Sequence, residues 1–302
     1  MLTSSSSISL INRYGYDETF RMFHDCGLDA MDYPVDGGTP TVEAMQKANV
    51  YGLTEDEVTA RFAAIKESAD RHDVKIGQTH AIFGQYEPSV TPEFFDITVK
   101  DILATHVLGA HHTVVHPIIM PGRYLNERRD ENFELNLKFY RGLIPYLEKW
   151  NVKCAIENLF LRDAEGNLRA SECSDPQEIL DYLSELGRDD LFCACADTGH
   201  FSLVTNDTGI SAGDAIRKLG KAVEVVHMQE TDLVRDLHVV PFTLRDVMDW
   251  DDIIAALKEI GYSGNMNFEV MPFVKQFPDE LHEAAVAHIG KVARYFAEKV
   301  GN

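Results

Sequence analysis

The chain has 302 residues, and its 49 acidic side chains against 28 lysines and arginines give a formal net charge of −21 at pH 7. Nucleic-acid binding depends on Lys and Arg that displace counterions from phosphates, so this balance argues against a nucleic-acid partner and, for the same reason, against an anionic membrane. A hydrophobic fraction of 45% and a charged fraction of 25% are typical of a globular protein.

The N-terminal segment and the cysteines indicate a cytoplasmic protein. Residues 1–12 have only a short apolar run and no basic segment, unlike a signal peptide, and no stretch approaches the roughly 18 apolar residues of a membrane span. The five cysteines are an odd number without a framework spacing, so we expect reduced thiols. Cys193 and Cys195 alternate within a predicted strand, which favours packing over metal ligation.

Strand-like apolar runs alternate with amphipathic stretches along the whole chain. The predicted strands are Ser7–Ile11, Leu28–Tyr33, Val74–His80, His112–His116, Val152–Glu157, Leu191–Asp197, Val223–Gln229 and Asn265–Met271. The predicted helices include Thr54–Asp70, Phe94–Leu108, Glu131–Trp150, Pro176–Leu186, Ala212–Leu219, Trp250–Ile260 and Glu280–Lys299. Ser4–Ser7 are expected to be a frayed terminus.

Eight strands that alternate with eight helices predict an α/β fold, a single (β/α)8 TIM barrel formed by residues 1–302 as one domain. A doubly wound open sheet is the alternative, but no G-x-G-x-x-G follows the first predicted strand and no linker divides the chain. A barrel needs about 250 residues, and the surplus falls in long loops after strands 2, 4 and 7 (34–52, 117–130 and 230–249). These loops follow the carboxyl ends of strands, where such barrels build their active sites.

Six predicted strands carry, at or near their carboxyl ends, a side chain that binds metal ions well. These are His80, His116, Glu157, Asp197, His227 and Glu269. The last four are spaced at about one βα unit, so they are expected to converge from four consecutive strands into the barrel mouth. Two Glu, one Asp and one neutral imidazole form a mostly oxygen site of formal charge −3, which favours one Mn²⁺, Mg²⁺ or Co²⁺ ion, with Zn²⁺ as the alternative.

A purely structural role, without a metal ion, fits the histidines better than it fits the carboxylates. A single histidine at a strand end is more often a hydrogen-bonded core residue than a ligand. Three carboxylates on neighbouring strands require a cation, because desolvation of each costs on the order of several kcal/mol. Further polar residues follow the strand ends, and the predicted substrate contacts are His80, His116, His200, Asp236 and His238.

The ordered motifs of the second half of the chain resemble the xylose isomerase-like TIM barrels that include sugar phosphate isomerases and epimerases. They are Ile-Glu157-Asn, Asp197-Thr-Gly-His200, Val-His227-Met-Gln, Asp236-Leu-His238-Val-Val-Pro-Phe and Phe-Glu269. Similarity to the ketose 3-epimerase branch implies that Glu157, Asp197, His227 and Glu269 hold one divalent metal ion. It also implies that Glu157 and Glu269 act as acid and base and that His200 touches the substrate.

The same superfamily contains the type IV apurinic endonucleases, whose three-metal cluster uses a larger set of ligands. The matching positions are His80, His116, Glu157, Asp197, His200, His227, Asp236, His238 and Glu269. A multi-metal phosphodiester hydrolase is therefore an alternative, although the net charge and the lack of a basic stripe argue against it. A barrel that only binds a sugar is a third interpretation.

The residues and the resemblance together predict a divalent-metal-dependent sugar or sugar phosphate isomerase/epimerase. Glu157 and Glu269, on opposite sides of the mouth, are expected to take and return a proton next to a carbonyl, through an enediolate that the metal ion stabilises. Both transfers on one face would give an aldose–ketose isomerase instead. The expected partner is a small carbohydrate, and the resemblance implies that the chain forms homo-oligomers.

Overall fold

The computed structural model describes residues 1–36, 45–83, 91–120 and 129–301, and its strands form a parallel barrel. The eight barrel strands are β1 (Thr3–Ser6), β2 (Ala30–Pro34), β3 (Lys75–His80), β4 (His112–Val115), β5 (Lys153–Glu157), β8 (Phe192–Asp197), β9 (Val223–His227) and β10 (Met266–Phe268). They pair in the order β10-β1-β2-β3-β4-β5-β8-β9, as a (β/α)8 TIM barrel requires. An antiparallel hairpin of β6 (Phe160–Arg162) and β7 (Leu168–Ala170) follows β5 outside the barrel sheet.

The barrel closes between β9 and β10 through one residue. The Met228 amide donates to the Asn267 carbonyl at 2.8 Å, and the Glu269 amide donates to the Met228 carbonyl at 3.1 Å. These two bonds form a parallel bridge between Met228 and Phe268 and leave the sheet without a long open edge at this junction. The predicted closed barrel, rather than a doubly wound sheet, is confirmed.

Helices connect the barrel strands and cover the outside of the sheet. They are α1 (Ile8–Tyr14), α2 (Tyr16–Asp25), α3 (Glu55–Arg71), α4 (Pro92–Leu108), α5 (Arg129–Trp150), α6 (Pro176–Leu186), α7 (Thr198–Leu203), α8 (Thr205–Thr208), α9 (Ala212–Leu219), α10 (Trp250–Glu259), α11 (Met271–Val274) and α12 (His282–Gly301). The start of α3 is fixed by a capping box between Thr54 and Glu57. Gly109 ends α4 with φ of 78°, a left-handed conformation that glycine adopts without a Cβ penalty.

Two separate apolar layers lie on either side of the barrel sheet. The larger layer fills the space between sheet and helices, while a small cluster fills the barrel interior and consists of Val114, Ala155, Cys193, Cys195 and Val225. All five cysteines of the chain are free thiols. Cys193 and Cys195 therefore pack inside the barrel, as their alternation predicted. The inner layer also shows which side of β4, β5, β8 and β9 faces the interior.

The predicted position of the first strand was wrong. Thr3–Ser6 is not frayed but forms β1, which pairs with β10 and β2, and the residues predicted as the first strand begin helix α1. Two of the serine hydroxyls in this segment find backbone acceptors. Ser5 Oγ donates to the Phe268 carbonyl at 2.8 Å and Ser7 Oγ to the Asp32 carbonyl at 2.9 Å.

The three predicted long loops all follow barrel strands. The loop at 230–249 is described throughout, and a bridge between Glu230 and Val239 orders its first half. Parts of the other two loops, residues 37–44 and 121–128, lie outside the described residues. Among the helices that the structure describes, none is long and apolar enough to cross a lipid bilayer.

Two buried carboxyl groups face each other beside the barrel. Asp36 follows β2 and accepts a hydrogen bond from the Asn49 amide, while Asp101 in α4 accepts one from the Ile82 amide at 2.9 Å. The second oxygen of each group is buried without a protein donor in the described part of the chain. Burial raises the pKa of both carboxyls, to about 6 for Asp36. The pair is stable when its members share a proton.

The substitution Asp101→Asn tests this shared proton. A carboxyl whose pKa is raised by folding stabilises the protein at low pH and loses that contribution as the pH rises through the raised pKa, which is about 6 for Asp36 and well above the ordinary value for Asp101. The asparagine oxygen can still accept from Ile82, and its NH₂ can donate to Asp36. We expect the variant to be more stable than the wild type by about 1–2 kcal/mol at pH 8, with little difference at pH 5, as measured by urea unfolding.

Asp189→Asn, which changes an exposed carboxylate, is the matched control and should leave the free energy of unfolding within about 0.5 kcal/mol at both pH values. An Asp101→Asn variant that is less stable than the wild type at pH 8 would contradict the shared-proton interpretation.

Candidate active site

The carboxyl ends of the barrel strands bring the six predicted strand-end residues into one cluster. Each shares its strand face with an interior residue two positions earlier, as Glu157 does with Ala155 and His116 with Val114. This parity turns the side chains into the barrel mouth. The cluster comprises His80, His116, Glu157, Asp197, His227 and Glu269.

Four of these residues form the tightest group. One ligand atom from each of Glu157, Asp197, His227 and Glu269 lies within 4.8 Å of those of the other three. His227 Nδ1 is 3.1 Å from Glu157 Oε1 and 3.2 Å from Glu269 Oε2. The side chains of Glu157 and His227 are almost completely buried, whereas that of Glu269 remains 21% exposed. Glu269 is therefore the carboxylate of this pair that solvent and small molecules can reach.

The protonation states of these four residues depend on their contacts with one another rather than on solvent. Burial opposes ionisation of Glu157 and Glu269, yet the neighbouring imidazoles hold the pKa of Glu157 well below its usual range and that of Glu269 at about 2. Burial lowers the pKa of His227, but Cys195 and the two glutamates raise it well above the ordinary value. Three carboxylates in one mouth thus depend on cationic neighbours.

Asp197 differs from the glutamates because one of its oxygens has no donor within the described chain. Asp197 Oδ1 accepts from the His200 amide at 2.7 Å, as the N-cap of α7, and from Gln229 Nε2 at 3.2 Å. Asp197 Oδ2 is buried with no hydrogen-bond donor among the residues described. Burial raises the pKa of Asp197 to about 6. A buried carboxylate oxygen without a donor is suited to a cation.

Two histidines contact Glu157 from the other side of the mouth. His116 Nε2 lies 2.9 Å from Glu157 Oε2, and His80 Nε2 lies 3.5 Å from the same oxygen. The two rings meet edge to face at 4.7 Å, and Phe83 stacks on His116 at 4.5 Å. Burial lowers the pKa of His116, so this imidazole is neutral near pH 7. A neutral imidazole can accept from or donate to a sugar hydroxyl.

His200, Asp236 and His238 form a second group at the edge of the mouth, again within 4.8 Å of one another. His238 Nε2 lies 2.9 Å from Asp236 Oδ2, and His200 Nε2 lies 3.8 Å from Asp236 Oδ1. Burial lowers the pKa of His238, but Glu269 and Asp236 raise it to about 9. Two imidazoles therefore surround one carboxylate, so this group is closer to neutral than the first.

The sequence interpretation missed a polar layer directly beneath the mouth. Asp32 Oδ2 accepts from Gln78 Nε2 at 3.0 Å and from Asn267 Nδ2 at 2.9 Å, and it lies 3.6 Å from His227 Nε2. Gln78 Nε2 also lies 3.0 Å from His227 Nε2. Gln78 and Asn267 each stand two residues before a predicted site residue, so the period of the strand could have revealed them. Such contacts hold the His227 ring in place.

A third group at the opposite end of the barrel is an ion-pair cluster. His112 Nε2 lies 3.0 Å from Glu224 Oε2, and the Lys153 ammonium donates to Glu224 Oε1. Cys193 completes a set that could ligate an ion, but burial raises the pKa of its thiol. Since Lys153 already supplies a positive charge, this group needs no metal ion.

Comparisons with known proteins agree with this architecture. A profile of the family described as xylose isomerase-like TIM barrel matches residues 20–291. A solved D-psicose 3-epimerase, crystallised with D-fructose, superposes with a TM-score of 0.70 at 14% identity and covers 98% of this chain and 99% of its own. No curated protein matches the chain.

Two further solved structures share the fold. The zinc-bound IolI protein has a TM-score of 0.65 at 15% identity, with 100% of this chain and 98% of the other covered. The 3-keto-D-glucoside 4-epimerase YcjR of E. coli, without ligand, has a TM-score of 0.63 at 13% identity, with 92% and 95% covered. At these identities the likeness shows the fold of the chain.

Gly199 provides a test of how Gln229 holds Asp197. A Cβ at position 199 would overlap the side-chain amide of Gln229, which donates to both Asp197 and Asp236. We expect Gly199→Ala to lower the free energy of unfolding by about 1–3 kcal/mol, because the side chain of Gln229 must move. Chemical denaturation measures this change.

The double variant Gly199→Ala/Gln229→Ala serves as the control for the overlap. Its destabilisation should fall short of the sum of the two single effects by about 1 kcal/mol or more, since Gln229 no longer occupies the space. Additive effects would show that the two positions do not compete.

Proposed function

The chain belongs to the xylose isomerase-like TIM-barrel family, and within that family we propose that it is a metal-dependent sugar isomerase or epimerase. One observation carries the proposal: the carboxylates of Glu157 and Glu269 flank the His227 imidazole, at 3.1 and 3.2 Å from Nδ1. A pair of carboxylates at one reacting centre provides the base and the acid that a proton shift requires. Of the three solved structures compared above, two are sugar epimerases and one binds zinc.

The proposed ligands of one divalent ion are Glu157, Asp197, His227 and Glu269. Two features support the fit: three carboxylates face a single imidazole, and Asp197 Oδ2 is buried without a donor in the described chain. The oxygen-rich set favours Mn²⁺, Mg²⁺ or Co²⁺, with Zn²⁺ as the alternative. When bound, such an ion would stabilise negative charge that develops on a substrate oxygen.

The two glutamates are proposed as the groups that move the proton. Their low pKa values keep both ionised near neutral pH, so either can accept a proton from a carbon next to a carbonyl. Glu269 lines a cavity of about 210 Å³, whereas Glu157 lies deeper, between His116 and His227. Removal of a proton on one face of the carbon and return on the other inverts the centre. Both transfers on one face, between adjacent carbons, would interconvert an aldose and a ketose.

The remaining polar residues of the mouth are proposed to contact the sugar. His80 and His238 line the same cavity as Glu269. His116, His200 and Asp236 lie behind them, within hydrogen-bond or ion-pair distance of Glu157 or of His238. Their donors and acceptors suit the hydroxyl groups of a carbohydrate.

The substitution Glu269→Gln tests the acid/base assignment. The carboxamide keeps the shape and one oxygen ligand but cannot take a proton, so exchange of solvent deuterium into a ketose substrate should fall about 10²–10⁴-fold. The measurement is mass spectrometry of the recovered sugar after incubation with Mn²⁺ in D₂O. Exchange at the wild-type rate would overturn the assignment of Glu269.

Glu165→Gln, an exposed change at the tip of the β6–β7 hairpin, is the matched control. Its exchange rate should equal that of the wild type. Metal analysis of both variants separates loss of proton transfer from loss of the ion, because only the former leaves the metal content unchanged.

A second candidate function is favoured by the convergence of all nine positions that match the three-metal endonuclease set. His200, Asp236 and His238 approach one another as closely as the residues of the first group. Against a phosphodiester hydrolase stand the net charge of −21 and the near-neutral state of this second group, in which two imidazoles face Asp236. We therefore place the one metal ion in the first group.

Metal stoichiometry separates the two candidates. We expect about one equivalent of divalent ion per chain after reconstitution and dialysis, measured by plasma mass spectrometry. His238→Ala should leave that number unchanged, because His238 belongs to the second group. Two or three equivalents, together with cleavage of a duplex that contains an abasic site, would favour the hydrolase instead.

A further inference from the structure

The cavity beside Glu269 has a wall that the proposed proton transfer does not use. The lining of this cavity includes Asp32, His80, His238 and Glu269, and a second set of residues, called here the second wall, from the junction of β1 with α1 and from α11 and its end. The reacting carbon belongs near Glu269. The part of the substrate that extends from that carbon along the cavity then contacts the second wall.

Two hydroxyls on this second wall have no protein partner. Ser6 Oγ and Ser9 Oγ are buried and form no hydrogen bond with any residue that the structure describes. The intervening Ser7 differs, since its hydroxyl donates to the Asp32 carbonyl at 2.9 Å. A buried hydroxyl without a partner costs about 1–3 kcal/mol. Both side chains are partly exposed and line the cavity, so rotation about χ1 breaks no described hydrogen bond and turns either hydroxyl toward ligand atoms there.

Lys275, directly after α11, supplies a positive charge at the same wall. It lines the cavity, its side chain is exposed, and it forms no ion pair within the described ranges. Among the described lining residues it is the only Lys or Arg, whereas Asp32 and Glu269 are carboxyl groups. A neutral sugar would give this cation no partner.

We propose that Ser6, Ser9 and Lys275 form a subsite for an anionic group, a phosphate or a carboxylate, on the sugar whose reacting carbon lies near Glu269. This subsite rests on the proposed function and narrows its substrate class to acidic sugars. An ammonium and two hydroxyls can donate three hydrogen bonds to one oxyanion, and bonds to a charged acceptor are the stronger kind. The cation also offsets the repulsion that the acidic mouth exerts on an anion.

The test compares three probes that share one carbon skeleton. D-Fructose carries a hydroxyl at C6, D-fructose 6-phosphate a phosphate, and D-fructuronate a carboxylate. Titration calorimetry on the Mn²⁺-loaded full chain gives a dissociation constant for each. We expect the wild type to bind at least one anionic probe more tightly than D-fructose, and the preferred anion identifies whether the group is phosphate or carboxylate.

Lys275→Met should lower this preference for the anionic probe over D-fructose by about 10- to 100-fold, because a hydrogen bond to a charged group is lost. Lys275→Arg should restore most of it. Lys291→Met, which removes an exposed lysine of α12, is the matched control and should keep the wild-type preference.

The subsite is overturned if the wild type binds no anionic probe more tightly than D-fructose, or if Lys275→Met weakens all three probes equally. The outcome is separable from that of the proposed function, because binding needs no turnover. Charge preference without deuterium exchange in any probe would overturn the function and keep the subsite. Deuterium exchange without a preference for the anionic probes would support the function and overturn the subsite.

Discussion

Repulsion among three carboxylates in the barrel mouth is the constraint that organises the surrounding residues. Glu157, Asp197 and Glu269 come from strands that the closed barrel holds at fixed spacing, so they cannot separate to reduce their repulsion. In the protein alone, imidazoles next to the carboxylates offset this charge, with His227 between the two glutamates. The histidines whose pKa is raised, among them His80, His200 and His227, are therefore part of the electrostatic balance of the mouth, whatever further contacts they make.

The sequence revealed much of this arrangement because strand parity is visible in it. Each strand-end residue stands two positions after a residue that faces the barrel interior, as with Glu157 after Ala155. The same rule places Gln78 and Asn267 inside the barrel, but both are amides that precede the strand ends, so the pattern of metal-binding residues at strand ends does not include them. Distances between side chains, such as the approach of His116 to Glu157, follow from barrel curvature and could not be read from spacing.

The first strand shows where apolar patterning fails as a guide. Residues 3–6 are all Thr or Ser, so they lack the apolar alternation that marks a strand. They are nevertheless central in the sheet, because backbone pairing with β10 and β2 forms without regard to side-chain polarity. The apolar run that follows them packs as α1 instead. This sequence also gives the candidate cavity its polar wall, since Ser6 ends the polar strand β1 and Ser9 lies in the first turn of α1.

The single-residue closure between β9 and β10 ties the candidate metal ligands to the integrity of the barrel. Met228 directly follows His227, and its carbonyl accepts from the amide of Glu269, so the same short stretch of backbone closes the sheet and sets the spacing of two ligands. An ion held by His227 and Glu269 would brace this seam, and opening of the seam would release the ion. Loss of the ion is therefore expected to appear first as faster hydrogen exchange of the backbone amides of Met228 and Glu269, before amide exchange in any helix becomes faster.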